Sequence, residues 1–432
     1  MQNFANAPQV GNVIINGEDE KIENFAKMLY SEMNKRKKLF TSYNGNYDDY
    51  IQSSGNILPN IVAVINSMEV LGEAYPDYIE KLIPIVREGS KYGINFVITA
   101  TSPSSVKFKV SQSCKQTFCL QLKNESDYKD ILGKTNGLVP SPFVGRGLTK
   151  LDRVVEFQTA SIDKENSYIK INELIEALNE KGINKANSIP VMPDIIEINR
   201  FGPKYNGLDS VPIGFTKETL EAYLYDYTKY VSTIISANDL DSMYAFLCNH
   251  IKTLEFNDAF TSIVIDACNY FEDYDSKVTL VNNDFNKIIE QLKDYDSQIQ
   301  DLLQKSNMNL RSISSVKNTF VLIVGFDKFL NKLDDDHKNM FKELLNNQKE
   351  TLKITFAFVD IPVSFKKYEY EEWYKNTINN LDGLWIGVGI TSQYSIKLNI
   401  QPNGINTIGA DYLVAVKNGM PTIVKFINEI KK

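Results

Sequence analysis

Two stretches of the chain have the form that phosphate chemistry asks of a buried strand. Asn60–Leu71 reads N-I-V-A-V-I-N-S-M-E-V-L, and Asn318–Leu330 reads N-T-F-V-L-I-V-G-F-D-K-F-L. Each is an apolar run that stops at a small or polar residue and meets an acid within a few positions. In an α/β protein such a strand end is where an acid holds magnesium against a nucleotide. The chemistry needs two further parts: a glycine-rich loop whose amides and lysine cradle the phosphates, and a Ser or Thr on the metal. Gly133-Lys134-Thr135 has the right residue types, but the position five before Gly133 is Tyr128 and no strand feeds it. It reads as a turn closing a helix. In the second half the slot between strand and helix is Ser236-Ala237-Asn238-Asp239-Leu240-Asp241-Ser242, without glycine or lysine. A helix N-terminus attracts an anion, and Asp239 and Asp241 supply that anion themselves, so the segment reads as a capped turn that repels a triphosphate.

The elements that must position these residues follow an alternating pattern. Val10–Ile15 reads as a strand, and Glu18–Phe40 as an amphipathic helix with Ile22, Phe25, Ala26, Leu29 and Met33 on one face. Ile61–Ile65, apolar without alternation, reads as a parallel strand covered on both faces. A helix at Pro76–Tyr92 ends at Gly93, and strand Ile94–Ala100 follows. Gln116–Leu122 and Val154–Phe157 read as strands and Lys164–Asn179 as a helix. Between Gly182 and Pro212 the composition turns to Asn, Pro, Gly and isolated apolar residues, the mark of a linker. The pattern then resumes with strands at Val231–Ser236, Thr261–Ala267, Thr319–Val324, Lys353–Val359 and Leu384–Val388. Helices at Ser242–Ile251, Asn282–Leu303, Asp335–Asn347 and Tyr370–Asn380 separate them, and short strands at Tyr412–Val416 and Thr422–Phe426 close the chain. Strand, helix, strand in this order predicts βαβ units. The expectation is two tandem α/β modules with mainly parallel central sheets, at 1–182 and 213–432, joined by a linker at 183–212.

Composition narrows the function classes. The 432 residues are 43% hydrophobic and 23% charged, enough for two cores. A formal charge of −7 argues against a phosphate-backbone partner, and the one basic run, Lys35–Lys38, reads as a solvated helix end. No apolar run approaches the ~18–20 residues of a spanning helix, and no signal-peptide pattern follows Met1. Cys114, Cys119, Cys248 and Cys268 form no C-x-x-C pair, and His250 and His337 are the only histidines. Free thiols, no metal centre and a cytoplasmic setting are expected.

Several short signals, in order along the chain, resemble the FtsK/SpoIIIE-type ATPases, and more narrowly the C-terminal ATPase modules of EssC, the type VII secretion coupling protein. In the first half they are Phe4–Gly11, Glu32-Met33-Asn34-Lys35-Arg36, Ile61–Ser67, Phe96–Ser102 and Gly145-Arg146-Gly147. In the second they are Val211–Gly214 and Gly383–Gly389. The resemblance covers nearly the whole chain. It implies a P-loop-NTPase-like (RecA/FtsK-like) fold with the first module N-terminally incomplete, beginning after its phosphate loop. It also implies ATP and magnesium as the family's cofactors, and as partners secreted helical-hairpin (WXG-type) proteins and the other modules of the secretion ATPase. A setting at the inner face of the membrane, through the full-length coupling protein, goes with it.

The residues at the family's chemical positions depart from its pattern. Asn66-Ser67 stand where the resemblance puts an Asp-Glu pair, and an amide is a poor ligand for a hard cation. Glu69, three residues beyond, reads as a solvated first-turn carboxylate. In the second module the acid position is Gly325. Asp327 lies two residues on, roughly 6–7 Å along an extended strand, and reads as a helix cap. Asp266 ends another strand without a paired lysine. Arg146 is a candidate arginine finger, with a structural turn as the plainer alternative. Tyr223, Tyr225, Tyr227 and Tyr230 offer aromatic surface, or else pack a helix, with Tyr223 and Tyr227 on one face. No catalytic or metal-binding residue is assigned. The readings are a non-hydrolytic interaction module, a conditionally active ATPase completed by another subunit, and, against the charge, a DNA-translocase remnant.

Overall fold

The computed structural model describes residues 2–161, 166–201, 209–271, 277–401 and 404–430. The chain divides into two compact units, residues 1–191 and 192–432.

In the first unit the helices are α1 (Asp19–Leu39), α2 (Tyr47–Ser54), α3 (Met68–Ala74), α4 (Pro76–Glu88), α5 (Phe108–Ser111), α6 (Glu125–Leu132) and α7 (Ser167–Glu180). The strands are β1 (Ile61–Ile65), β2 (Ile94–Ile98), β3 (Phe118–Cys119), β4 (Arg146–Lys150) and β5 (Val154–Gln158). β1 and β2 form a two-stranded parallel sheet, and β3–β4–β5 a separate antiparallel one. The apolar stripe read from Ile22 to Met33 is real, packing Leu29 and Met33 with Leu82 and Ile85 of α4 against Ala63 and Ile65. Arg36 fixes the end of α1. The sequence places it in a solvated basic run, yet only 3% of it is exposed. Its guanidinium donates to Glu32 Oε1 (2.8 Å) and to the carbonyls of Pro59 (2.9 Å), Tyr92 (3.0 Å) and Gly93 (3.3 Å), tying the helix to the starts of both strands.

Two further expectations fail in this unit. Residues 10–15 form no strand, because β1 and β2 pair only with each other. β1 is not covered on both faces: Val62 and Val64 are 59% and 44% exposed, and Val97 of β2 is 49% exposed. Lys164, where the helix now called α7 was expected to start, lies outside the described residues.

The second unit holds β6 (Ser210–Thr216), β7 (Ala222–Asp226), β8 (Ser232–Ser236), α8 (Tyr244–Glu255), β9 (Phe260–Asp266), β10 (Thr279–Val281), α9 (Phe285–Lys305), β11 (Asn318–Val324), α10 (Phe326–Lys332) and α11 (Asp335–Thr351). After these come β12 (Ile354–Val359), α12 (Pro362–Lys366), α13 (Glu372–Thr377), β13 (Ile378–Ile386), β14 (Tyr412–Lys417) and β15 (Met420–Phe426). Among the described residues the strands form one ten-stranded sheet in the order β10-β9-β11-β12-β8-β13-β14-β15-β6-β7. The six from β10 to β13 are parallel and the remainder antiparallel. β11 and β12, apolar apart from Asn318, Thr319 and Thr355, are buried on both faces, as a parallel core requires. The parallel pair β11–β12 has the same helix-strand-helix setting as β1–β2. In the second unit β8 and β9 flank that pair, and no described strand of the first unit does so.

Helix 370–380 shortens to α13, and the last parallel strand starts early at Ile378, reaching its register through a bulge before Gly383. Part of the stretch read as a linker packs into this unit: Ile196, Ile198 and Phe201 are buried with Ile427, and Ser210–Pro212 belong to β6. Residues 202–208 of it lie outside the described residues. The tyrosines 223–227 are on β7 and the turn after it, not on a helix. Tyr227 is buried between Phe320 (4.4 Å between ring centroids) and His250, whose Nε2 lies 3.0 Å from its hydroxyl. Tyr225 and Tyr227 are therefore core, and aromatic residues two apart suit a strand. Burial drives the pKa of His250 down to about 3, so it stays neutral in ordinary buffers.

Because Val62 and Val64 contribute exposed apolar surface, Val62→Lys/Val64→Lys should leave the unfolding free energy within about 1 kcal/mol of the parent. The same change should reduce concentration-dependent self-association in light scattering. A loss of several kcal/mol in urea would show that these faces are covered in solution.

Candidate functional site

The carboxyl ends of parallel strands are where α/β proteins bind ligands. In the second unit this edge collects residues from β8, β9, β11 and β12. Ser236 at the end of β8 is fully buried, and its Oγ donates to the carbonyl of Asp360 (2.7 Å) just beyond β12. Ala237 is buried beside it. Asn238 turns outward and its Nδ2 donates to the carbonyl of Val388 (3.1 Å), beyond β13. Asp239 Oδ1 accepts the amide of Ser242 (2.8 Å), and Ser242 Oγ returns a bond to the Asp239 carbonyl (2.8 Å). Asp241 accepts the hydroxyl of Tyr270 (3.0 Å), from the loop after β9. The burial of Tyr270 and that bond both raise its pKa. The 236–242 turn is thus held on both flanks, and the amide of Ser242 is already bonded to a carboxylate of the chain itself.

The acids at the same edge are similarly engaged. Asp266 is fully buried, and its two oxygens accept the amides of Cys268 (3.0 Å) and Phe271 (2.8 Å), shaping the loop after β9. Asp360, 3% exposed, accepts the amides of Ile361 (2.8 Å) and Asp327 (2.9 Å). Asp327 sits in the first turn of α10. Its carboxylate accepts from Lys367 Nζ (2.5 Å) and the Tyr368 hydroxyl (2.8 Å). Burial pushes its pKa up, but the bonds from Lys367 and Tyr368 outweigh this and leave it below the usual carboxylate value. Its partners are side chains across the edge, not the amides of its own helix as a capping role requires.

Gly325 is demanded twice. Its φ is +77°, and a Cβ there would overlap Cys268 Sγ. It lets β11 turn sharply into α10 while the loop after β9 stays close.

In the first unit the corresponding strand end is held by Thr99. Its Oγ1 donates to Asn66 Oδ1 (3.0 Å) and accepts the Ser67 amide (2.9 Å), with Ser67 at φ +62°. Glu69 is not a freely solvated carboxylate: its Oε2 is buried without a hydrogen-bond partner. Gly133-Lys134-Thr135 follows α6 as a turn with Gly133 at φ +84°. Gly145 and Gly147 leave room for Thr159 and for the Cys119 carbonyl at the start of β4. Arg146 between them lies 3.8 Å from Glu156, its Nε buried and unpaired. Among the described residues no group of three or more His, Cys, Asp or Glu is placed to hold a metal ion.

The structure brings together Ser236, Asp239, Asp241, Gly325 and Asp327 as one edge, with Asn66 and Ser67 in the other unit. Sequence reasoning missed Asp360, Lys367, Tyr368, Tyr270 and Thr99. Asp360 carried a signal, since it ends an apolar strand as Asp266 does; the others are partners only through tertiary structure.

No family model matches the chain. It is 27% identical over 213 residues to the ESX secretion system protein EccC of Geobacillus thermodenitrificans, covering 47% of this chain and 14% of that one. To the type VII secretion system protein EssC of Staphylococcus aureus it is 22% identical over 289 residues, and to YukB of Bacillus subtilis 22% over 380, 82% of this chain and 25% of that one. The chain therefore spans a quarter or less of the curated relatives it matches. Among solved structures, ATPases 2 and 3 of EssC from G. thermodenitrificans superpose with a TM-score of 0.80 at 18% identity, covering 99% of this chain and 82% of that one. ATPases 2 and 3 of EccC from Thermomonospora curvata, in complex with a signal sequence peptide, match with a TM-score of 0.53 at 15% identity, over 100% of this chain and 80% of that one. Among the described residues no helix is long and apolar enough to cross a membrane.

Gly325→Ala is expected to cost about 1–3 kcal/mol in urea unfolding. Adding Cys268→Ala should restore the steric share and leave the backbone share. An unchanged midpoint for the single variant would refute this account of the β11 end.

Proposed function

Taking the chain as a homologue of the EssC, EccC and YukB type VII secretion ATPases, built on their FtsK-like ATPase modules, we propose that it is a non-hydrolytic, or very weakly nucleotide-binding, part of such a machine. Its work is substrate recognition and module-to-module regulation of protein export from the cytoplasmic side. The observation that carries this reading is the 236–242 turn. A phosphate cradle needs free amides and a cation, whereas here Asp239 takes the Ser242 amide and Asp241 adds a second carboxylate. Asp327, the nearest acid to position 325, is bonded to Lys367 and Tyr368. Asn66 and Ser67 place no carboxylate at the end of β1, which in this reading leaves the first unit without the acid pair that holds magnesium in the family.

The partners in this reading are secreted helical-hairpin proteins of the WXG type and other modules of the secretion ATPase. The signal sequence peptide bound to the related T. curvata modules supports an interaction with secreted substrates in general. Equilibrium dialysis of the chain with labelled ATP and magnesium is expected to give no saturable binding in the micromolar range. Saturable micromolar binding would overturn the non-hydrolytic reading. Retention of small helical-hairpin proteins on the immobilised chain, from cells that secrete by this route, is the matching positive outcome. A folded bait that retains none would count against substrate recognition.

A further inference from the structure

A cleft of about 770 Å³ opens where the first turns of α9 and α11 meet the end of α10, lined by Asn282, Phe285, Asn286, Lys287, Lys332 and His337, among others. His337 lies between two carboxylates on different helices. Its Nδ1 is 2.7 Å from Asp334 Oδ1, at the cap of α11, and its Nε2 is 3.2 Å from Glu290 Oε1, on α9. A neutral imidazole carries one N–H and can donate to only one of them; both bonds exist together only in the imidazolium. We propose that His337 is a proton-operated latch, closing α9 onto α11 at the cleft when protonated and releasing Glu290 when it is not.

The surroundings define what the latch controls. Asp334 also accepts the His337 amide (2.9 Å) and Asn286 Nδ2 (2.8 Å), so this link at the cleft survives loss of the proton, as do the bonds from Asn347 and Gln348 of α11 to Asp296 of α9 farther along. On α11, Asp335 pairs with Lys338 (3.5 Å) and Asp336 stands next to it in the first turn. On α9 and its cap stand Asp284 and Lys287, while Lys293, one turn on from Glu290, is engaged by Glu343 (2.8 Å). From α10, Lys332 donates to the Ala267 carbonyl (3.3 Å) and lies 5.1 Å from the Phe285 ring centre. The bond to Asp334, then that to Glu290, raises the pKa of His337 against a smaller opposing effect of burial. The folded-state value is raised, so the latch contributes fully below the unfolded value of about 6.5 and is lost as pH rises through the folded one.

The chain has two histidines, and His250 serves as an internal control that does not titrate near neutrality. Side-chain NMR should find His337 protonated at both nitrogens at pH 6, with a midpoint above that of free histidine. Glu290→Gln, at an exposed position, should lower that midpoint, and hydrogen exchange in the first turn of α11, corrected for intrinsic rates, should speed up several-fold above it. His337→Gln should abolish that pH dependence. A midpoint at or below the free value, a midpoint unmoved by Glu290→Gln, or corrected exchange that ignores pH would each overturn the latch.

Discussion

The second unit depends on one constraint: the polar groups gathered at the carboxyl edge of its parallel sheet must be satisfied without leaving the protein interior. Asp266 and Asp360 are too buried to be hydrated, and an unpaired buried carboxylate would cost several kcal/mol. Each takes two backbone amides instead. Those bonds dictate the loops after β9 and β12, which in turn deliver Tyr270 to Asp241 and Lys367 with Tyr368 to Asp327. Ser236 completes the set by donating to the carbonyl of Asp360. The edge is a hydrogen-bond network in which Lys367 and several amides are directed at the chain's own acids.

That closure accounts for the character of the 236–242 turn. In a nucleotide-hydrolysing module the electrostatic field at the strand ends is positive and the amides are vacant until phosphate arrives. Here Asp239 takes the Ser242 amide, and Asn238 and Asp241 anchor the turn to its neighbours. Gly325 fits the same economy of space: at the end of β11 a side chain has no room beside Cys268.

The two units answer the same packing problem differently. β11–β12 is flanked by β8 and β9 and covered by helices, so its apolar residues are wholly buried. β1–β2 has an equally apolar sequence, with Arg36 binding the strand starts to α1, yet it keeps Val62, Val64 and Val97 at the surface. Identical local sequence character thus gives a core in one unit and an exposed face in the other, because burial is a property of neighbours.

The sequence by itself determined most strands and helices of the parallel core, since apolar runs of five to seven residues between amphipathic helices are a local signal that tertiary contacts reinforce. It also located Asn66-Ser67, the 236–242 turn, Gly325 and Asp327 at the carboxyl ends of their strands. It misread residues 10–15 and the tyrosines of β7, where a short apolar or aromatic run takes its state from the availability of a strand partner. Only the tertiary structure decided what the polar residues bond to. Thr99 with Ser67, Tyr270 with Asp241, Lys367 with Asp327 and His337 with Glu290 are pairs separated by 29 to 47 positions. No periodicity encodes such pairs; they exist because the sheet and its helices bring distant loops to one edge.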